Sequence, residues 1–230
     1  FTFCLQAAIG LMLFSVVSKE LTRDKKFKVA ALASAVLSVV AILASLFHLG
    51  RPFAFLNSLA NLGSSWLSNE ALFAGIFTAT AVVYALLLYL KPAKTVVLRI
   101  IGWAGSLMGI LTIAVMAKVY TFTVVPMWQS LNTYVEFYAT AVAVGGLLFL
   151  ALSQKELRKE INGLVGLIIL GAVFIQAAVA IHCVIGLSQA GMAAQSSVEI
   201  LSGMGMALAL KWLLILLYSR GLYGSLSFKF

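Results

Sequence analysis

Side chains that exchange protons between acid and neutral pH are few in this 230-residue sequence: two histidines, His48 and His182, and seven carboxylates. Glu20, Asp24, Glu156 and Glu160 are interleaved with lysine and arginine and read as solvated loop charge. The others sit at or within the edges of apolar runs. His48 ends one run and Glu70 opens the next, Glu136 opens a later one, Gln176 and His182 lie in another, and Glu199 precedes the last. Ionisable groups at or inside a membrane are costly and are by default functional candidates. The tightest grouping is His48, Arg51 and Glu70. An imidazole titrates near neutral pH and accepts a hydrogen bond, and a carboxylate accepts or relays a proton. Each also has a plain structural reading. Glu70 is then a carboxylate favoured by a helix N-terminus, His48 an interfacial histidine bonded to a backbone carbonyl, and Arg51 a lipid-phosphate anchor.

Other chemistries lack their residues. The sequence holds no Rossmann fingerprint and no Walker loop. Its two cysteines, Cys4 and Cys183, cannot supply the ligands of an iron–sulfur cluster or a cysteine-rich zinc site, so no metal site is expected; both read as small buried residues. A transmembrane haem pair needs four axial ligands, and the protein has two histidines.

The elements that must position these groups follow from composition. Hydrophobic residues make up 63% of the sequence, charged residues 10%, and mean hydropathy is +1.08. A soluble domain is nearer half apolar and a quarter charged, so an ordinary soluble enzyme, a disordered tail and a secreted disulfide scaffold are excluded. The expectation is an all-α polytopic membrane bundle, a single integral-membrane domain over 1–230. Apolar runs at Phe1–Ser18, Val29–His48, Glu70–Leu90, Val96–Tyr120, Tyr134–Ser153, Gly163–Leu187 and Ile200–Tyr218 predict seven spans. The opening Phe1-Thr2-Phe3 carries neither a Met nor a basic signal region, and a few native N-terminal residues are expected to be missing.

Charge alternates between the loops. Lys19, Arg23, Lys25, Lys26 and Lys28 follow the first run; Lys91, Lys94 and Arg99 flank the third loop; Lys155, Arg158 and Lys159 lie in the fifth; Arg220 and Lys229 are in the tail. Thirteen of the 16 basic residues thus lie on one side, with Arg51, Lys118 and Lys211 the exceptions. The positive-inside rule puts that side in the cytoplasm and the N-terminus outside. The net charge of +9 then marks cytoplasmic loops, not nucleic-acid binding. His48, Glu70, Lys118, Tyr120, Glu136 and His182 all fall toward the outer face.

Between His48 and Glu70, Gly50 and Pro52 end a span, and Phe55, Leu59, Leu62 and Trp66 are spaced for one apolar helical stripe. A short interfacial helix is expected there, with Ser68 capping the following span and Glu70 in its first turn. Gly145-Gly146 and Gly203-Met204-Gly205 read as close helix packing.

His48-Leu49-Gly50-Arg51-Pro52, with Asn57, Leu59, Asn61-Leu62, Ser65 and Leu67-Ser68-Asn69-Glu70, closely resembles the membrane-anchor (C) subunit of the bacterial dimethyl sulfoxide reductase family. Lys118-Val119-Tyr120, Val125-Pro126-Met127-Trp128, Phe137 and Gly145-Gly146 also resemble it. The resemblance implies eight spans, an outward N-terminus and a place in the bacterial inner membrane. It implies a subunit that binds no haem, oxidises menaquinol and passes two electrons to an iron–sulfur subunit beside a molybdopterin catalytic subunit on the outer face. The family's functional histidine and glutamate fall on His48 and Glu70. The sequence stops near the start of an eighth span.

That chemistry suits the residues. Loop two lies where a lipid-borne quinol head can arrive laterally. His48 is suited to accept a hydrogen bond from a quinol hydroxyl, Glu70 to accept its proton, and Arg51 to hold Glu70 ionised or to stabilise a developing quinolate. Trp66, Phe53, Phe55 and Tyr120 are candidates to sandwich the ring, against the commoner role of interfacial aromatics as belt residues. Lys118, Glu136 and His182 are weaker candidates, as partners for one another or as docking surface. Two other classes compete: a secondary transporter, disfavoured by the lack of mid-membrane charge apart from Lys211, and a haem-b cytochrome subunit, which only one outer haem would fit.

Overall fold

The computed structural model describes residues 1–22, 25–47, 57–91, 95–189, 191–203, 205–206, 209–210 and 213. Its helices are α1 (Thr2–Thr22), α2 (Lys28–Phe47), α3 (Trp66–Leu90), α4 (Thr95–Thr121), α5 (Leu131–Ser153), α6 (Lys159–Ser188) and α7 (Met192–Gly203), and no strand occurs among the described residues. Helices α1 to α6 are each long and apolar enough to cross a membrane. The first six predicted spans match them to within four residues at every end. The seventh differs at its start: α7 begins eight residues before Ile200 and includes Gln195, Ser196 and Glu199. Hydropathy placed the boundary at the first apolar residue, whereas the helical backbone continues through the polar turn before it. Most of Ile200–Tyr218, including Lys211, lies outside the described residues.

Helix α1 is the axis of the bundle and packs against α2, α4 and α5. It buries Gln6, Ser15, Ser18 and Thr22, polar residues that would be costly facing lipid. Two of its hydroxyls are satisfied locally, Ser15 donating to the Leu11 carbonyl at 2.6 Å and Thr22 to that of Ser18 at 2.7 Å. Ser34 of α2 donates to the Ala8 carbonyl of α1 at 2.7 Å, and Thr112 of α4 donates to the Phe73 carbonyl of α3 at 3.2 Å. These interhelical bonds fix helix rotation where apolar packing in lipid is weakly directional.

Small residues set the closest approaches. A Cβ on Gly10 would run into the Ala141 carbonyl oxygen, and one on Gly145 into the Gly10 Cα. On α4, Gly102, Gly105 and Gly109 make room for Val16, Met12 and Ile9 of α1. The close packing expected at Gly145-Gly146 is therefore present. At Gly203 and Gly205 a Cβ would meet no atom of the described residues within 4 Å.

Two core clusters flank α1. One joins Leu5, Ile9 and Met12 to Phe77 and Tyr84 of α3 and Met116 of α4. The other joins Leu11 and Phe14 to Phe27, Phe149 of α5 and Ile169 of α6. Phe27 has φ +45°, a left-handed conformation that costs a side-chain-bearing residue about 1–2 kcal/mol. Its ring is fully buried, and its N–H donates to Glu156 Oε2 at 3.1 Å. Glu156 is thus a tie between two loops, not the solvated charge its lysine neighbours suggested. Glu20 likewise pairs with Arg99, the guanidinium donating through Nε at 3.1 Å.

Candidate functional site at the Glu70 end of the bundle

The antiparallel order brings the start of α1, the end of α2, the start of α3, the end of α4 and the start of α5 to one end of the bundle. Glu70, Trp66, Lys118, Tyr120 and Glu136 are all at this end. His48 and Arg51, with Phe53 and Phe55, lie outside the described residues, in the segment joining α2 to α3.

The expected interfacial helix is absent from the described part of that segment. Residues 57–59 form a single 3-10 turn, residues 60–64 are turns with Gly63 at φ +82°, and Trp66 belongs to the first turn of α3. The apolar spacing that suggested one helix is interrupted by turn chemistry at Asn61-Leu62-Gly63-Ser64. Gly63 supplies the positive φ, and its N–H donates to Asn69 Oδ1 at 2.9 Å. The N-cap of α3 is Ser65, not Ser68; the Ser65 hydroxyl accepts from the Ser68 N–H at 3.4 Å. The cap therefore lies one turn earlier than expected. It leaves Glu70 in the second turn, where the helix-terminus explanation for its charge is weaker.

Glu70 is 6% exposed. It lines a cavity of about 480 Å³ between α2 and α3. The α2 wall is Ile42, Ser45 and Leu46, and the α3 wall is Leu67, Glu70, Ala71, Ala74 and Gly75, with Ser58 and Leu59 from the turn before α3 and Phe1 from the start of α1. Ser45 is occupied by its own helix, donating to the Ile42 carbonyl at 2.7 Å. Among the described residues no group donates a hydrogen bond to the Glu70 carboxylate. Taking a carboxylate out of water is costly even with the Phe1 ammonium acting on it across the same cavity, so its place on this wall calls for a role. Gly75 keeps the floor open, because a Cβ there would meet nothing within 4 Å.

The aromatic candidates lie elsewhere at this end. Trp66 is tilted against Phe122 at 5.8 Å, and the Lys118 ammonium lies 5.6 Å from the Trp66 ring centroid and 4.9 Å from that of Phe122. Tyr120 packs edge-on to Trp128 at 5.2 Å and to Phe137 at 5.1 Å, with its hydroxyl 3.4 Å from Thr2 Oγ1. Trp66 and Tyr120 do not line the Glu70 cavity. Glu136 accepts a hydrogen bond from Gln176 Nε2, which also faces Thr140 Oγ1 at 3.5 Å. His182 is exposed on α6. Cys183 is half-buried and reaches the Ser130 hydroxyl at 3.7 Å.

Sequence reasoning identified Glu70 but missed the α2 wall, the small residues Ala71 and Gly75, and the Glu136–Gln176 pairing. Ala74 follows Glu70 at i+4 on the same face, and Ala71 and Gly75 are four apart beside it, small residues that signal room near the carboxylate. Nothing local in the sequence signals that Gln176, 40 residues away, meets Glu136.

A family model for the DMSO reductase anchor subunit (DmsC) matches residues 1–223. The protein is 33% identical over 190 residues to the C subunit of anaerobic dimethyl sulfoxide reductase from Haemophilus influenzae, covering 79% of this sequence and 67% of the relative. It is 33% identical over 114 residues to the C subunit of anaerobic dimethyl sulfoxide reductase from Escherichia coli, covering 49% of this sequence and 40% of the relative. Against the YnfH subunit of anaerobic dimethyl sulfoxide reductase from E. coli it is 29% identical over 113 residues. No solved structure matches.

Proposed function

Since the protein belongs to the DMSO reductase anchor subunit (DmsC) family, we propose that it anchors a reductase complex in the bacterial inner membrane and oxidises menaquinol at the cavity beside Glu70. The observation that carries this is the near-complete burial of a carboxylate with no hydrogen-bond donor among the described residues, on the wall of an otherwise largely apolar cavity of about 480 Å³. A quinol head needs apolar walls for its ring, acceptors for its two hydroxyl protons and a route to water. The walls are Ile42, Leu46, Leu59 and Leu67, and Glu70 accepts a hydroxyl proton. His48 and Arg51 lie in the segment that leads from α2 into this wall. His48 takes the second hydroxyl, and Arg51 balances the charge left on the ring or on Glu70.

Oxidation of the quinol to quinone releases two protons and two electrons. The protons leave through Glu70 and His48 to the aqueous boundary. The electrons pass to an iron–sulfur subunit docked at the same end, and from it to a molybdopterin subunit that reduces the terminal acceptor. The Trp66–Phe122–Lys118 and Tyr120–Trp128–Phe137 clusters are the firm surface at this end against which such a partner rests. With this end on the periplasmic side, protons and electrons leave on one side, and turnover builds no membrane potential.

The test is quinol-analogue binding and quinol oxidation in the assembled complex for wild type, Glu70→Gln and His48→Ala. A loss of oxidation of about 10²–10⁴-fold, the usual worth of a positioned proton acceptor, is expected for Glu70→Gln with the complex still assembled. Unchanged affinity and unchanged oxidation in both variants removes the two residues from the site.

A further inference from the structure

The Glu70 cavity is not alone between α2 and α3. A second cavity, of about 440 Å³, lies between the same two helices toward the opposite face of the bundle. Its α2 wall includes Leu32, Val36, Val39 and Val40. Its α3 wall includes Val82, Leu86 and Tyr89. The two cavities share their stripes. On α3, Leu67, Ala71 and Gly75 of the first continue at steps of three and four through Thr78 into Val82, Leu86 and Tyr89 of the second. On α2, Leu46 and Ile42 of the first continue at the same steps into Val39 and Ala35 of the second.

Depth comes from small residues. Ala35 and Ala85 form the floor of the second cavity, and Val36 and Leu86 form rims that are each 52% exposed. From Glu70 to Tyr89 the two cavities together span 19 residues of helix, about 28 Å at 1.5 Å per residue, close to the thickness of a bilayer core of about 30 Å. The Lys28 ammonium over the Tyr89 ring, 5.2 Å from its centroid, marks the far end at headgroup level.

We propose that this α2–α3 groove holds the polyprenyl tail of the quinol whose head lies at Glu70. The inference rests on the reading of Glu70 as the quinol site. Polarity selects the occupant. Polar side chains, Glu70, Ser45 and Ser58, gather at one end, and beyond Thr78 the walls are hydrocarbon as far as the Tyr89 hydroxyl. An amphiphile seated at Glu70 has a head that donates protons and a long hydrocarbon tail running along the bilayer normal. A phosphate head is repelled by the Glu70 carboxylate, whereas an uncharged dihydroxy ring is accepted by it. The alternative occupant is an acyl chain of a phospholipid entering from the Lys28 end.

The experiment uses the assembled reductase complex with a long-tailed menaquinol and with tail-less menadiol. Val36→Trp and Leu86→Trp fill the groove from exposed rim positions. The KM for the long-tailed quinol is expected to rise about tenfold relative to that for menadiol, as loss of a few buried methylenes implies. An unchanged ratio in both variants overturns the tail assignment. Glu70→Gln tests the parent reading separately: oxidation of menadiol, which has no tail, falls if Glu70 serves the head and stays intact if it does not. Should the tryptophan variants fail to insert, wild-type complex is irradiated with a menaquinone carrying a diazirine at its tail terminus. Labelling of peptides 32–40 and 82–90 supports the proposal, and labelling elsewhere overturns it. Labelling of those peptides by a diazirine phospholipid that excess menaquinone does not displace also overturns it.

Discussion

The ammonium of Lys118, near the end of α4, lies 5.6 Å from the ring centroid of Trp66, in the first turn of α3. Phe122 completes the contact from the turn beyond α4, so a cation and two rings tie the α3 start to the α4 end. This contact draws Trp66 away from the Glu70 cavity and gives it a positional task. A double-mutant cycle with Lys118→Met and Trp66→Leu in detergent unfolding is expected to return a coupling of about 0.5–1 kcal/mol. Strict additivity of the two changes would show that the contact carries no energy.

Glu70 is retained at a cost to stability. Replacing it with glutamine keeps the shape and removes a buried carboxylate that has no hydrogen-bond donor among the described residues. Glu70→Gln is therefore expected to leave thermal stability unchanged or raised while quinol oxidation collapses. Thermal unfolding and activity, measured on the same preparation, check this. Equal losses of both would assign Glu70 to structure.

Two glycines in the bundle should answer oppositely to one methyl group. Gly145→Ala drives a Cβ into the Gly10 backbone, and the α1–α5 crossing must open. A loss of about 1–3 kcal/mol is expected from such overpacking. Gly75→Ala meets nothing within 4 Å and is expected to gain about 0.5–1 kcal/mol from helix propensity. It also narrows the Glu70 cavity, so quinol affinity should fall as stability rises. Unfolding curves for both variants, with quinol titration of the second, check the pair.

Gln176 is 1% exposed and bonds to Glu136 through its amide nitrogen, while its Oε1 has no partner among the described residues. Gln176→Leu should cost about 0.6–1.7 kcal/mol, the usual range for a hydrogen bond between membrane helices. Because this pair lies between α5 and α6, away from the α2–α3 cavity, quinol affinity should not change. Unfolding together with analogue binding measures both, and a lost affinity would join the pair to the site.

Hydropathy and charge are one-dimensional properties, and what depends on them was legible in the sequence. Six of the seven spans, the gathering of Glu70, Lys118, Tyr120 and Glu136 at one end, and the family itself follow from apolar run length and from motifs contiguous in the sequence. Helix alternation alone sorts residues by end. The start of α7 was not legible, because a polar turn ahead of an apolar run can be helix or loop at equal hydropathy. The cap was misassigned between Ser65 and Ser68 because both are competent capping residues, and only the Gly63 turn decides where the helix begins. Rotation and depth belong to the tertiary structure alone. Whether Trp66 meets Lys118 or the Glu70 cavity, whether Gln176 finds Glu136, and whether Ala71 and Gly75 open onto Ile42 or onto lipid depend on angles about helix axes. Those angles are set by side-chain packing across helices far apart in sequence, such as the Gly10–Gly145 contact, and no local pattern encodes them.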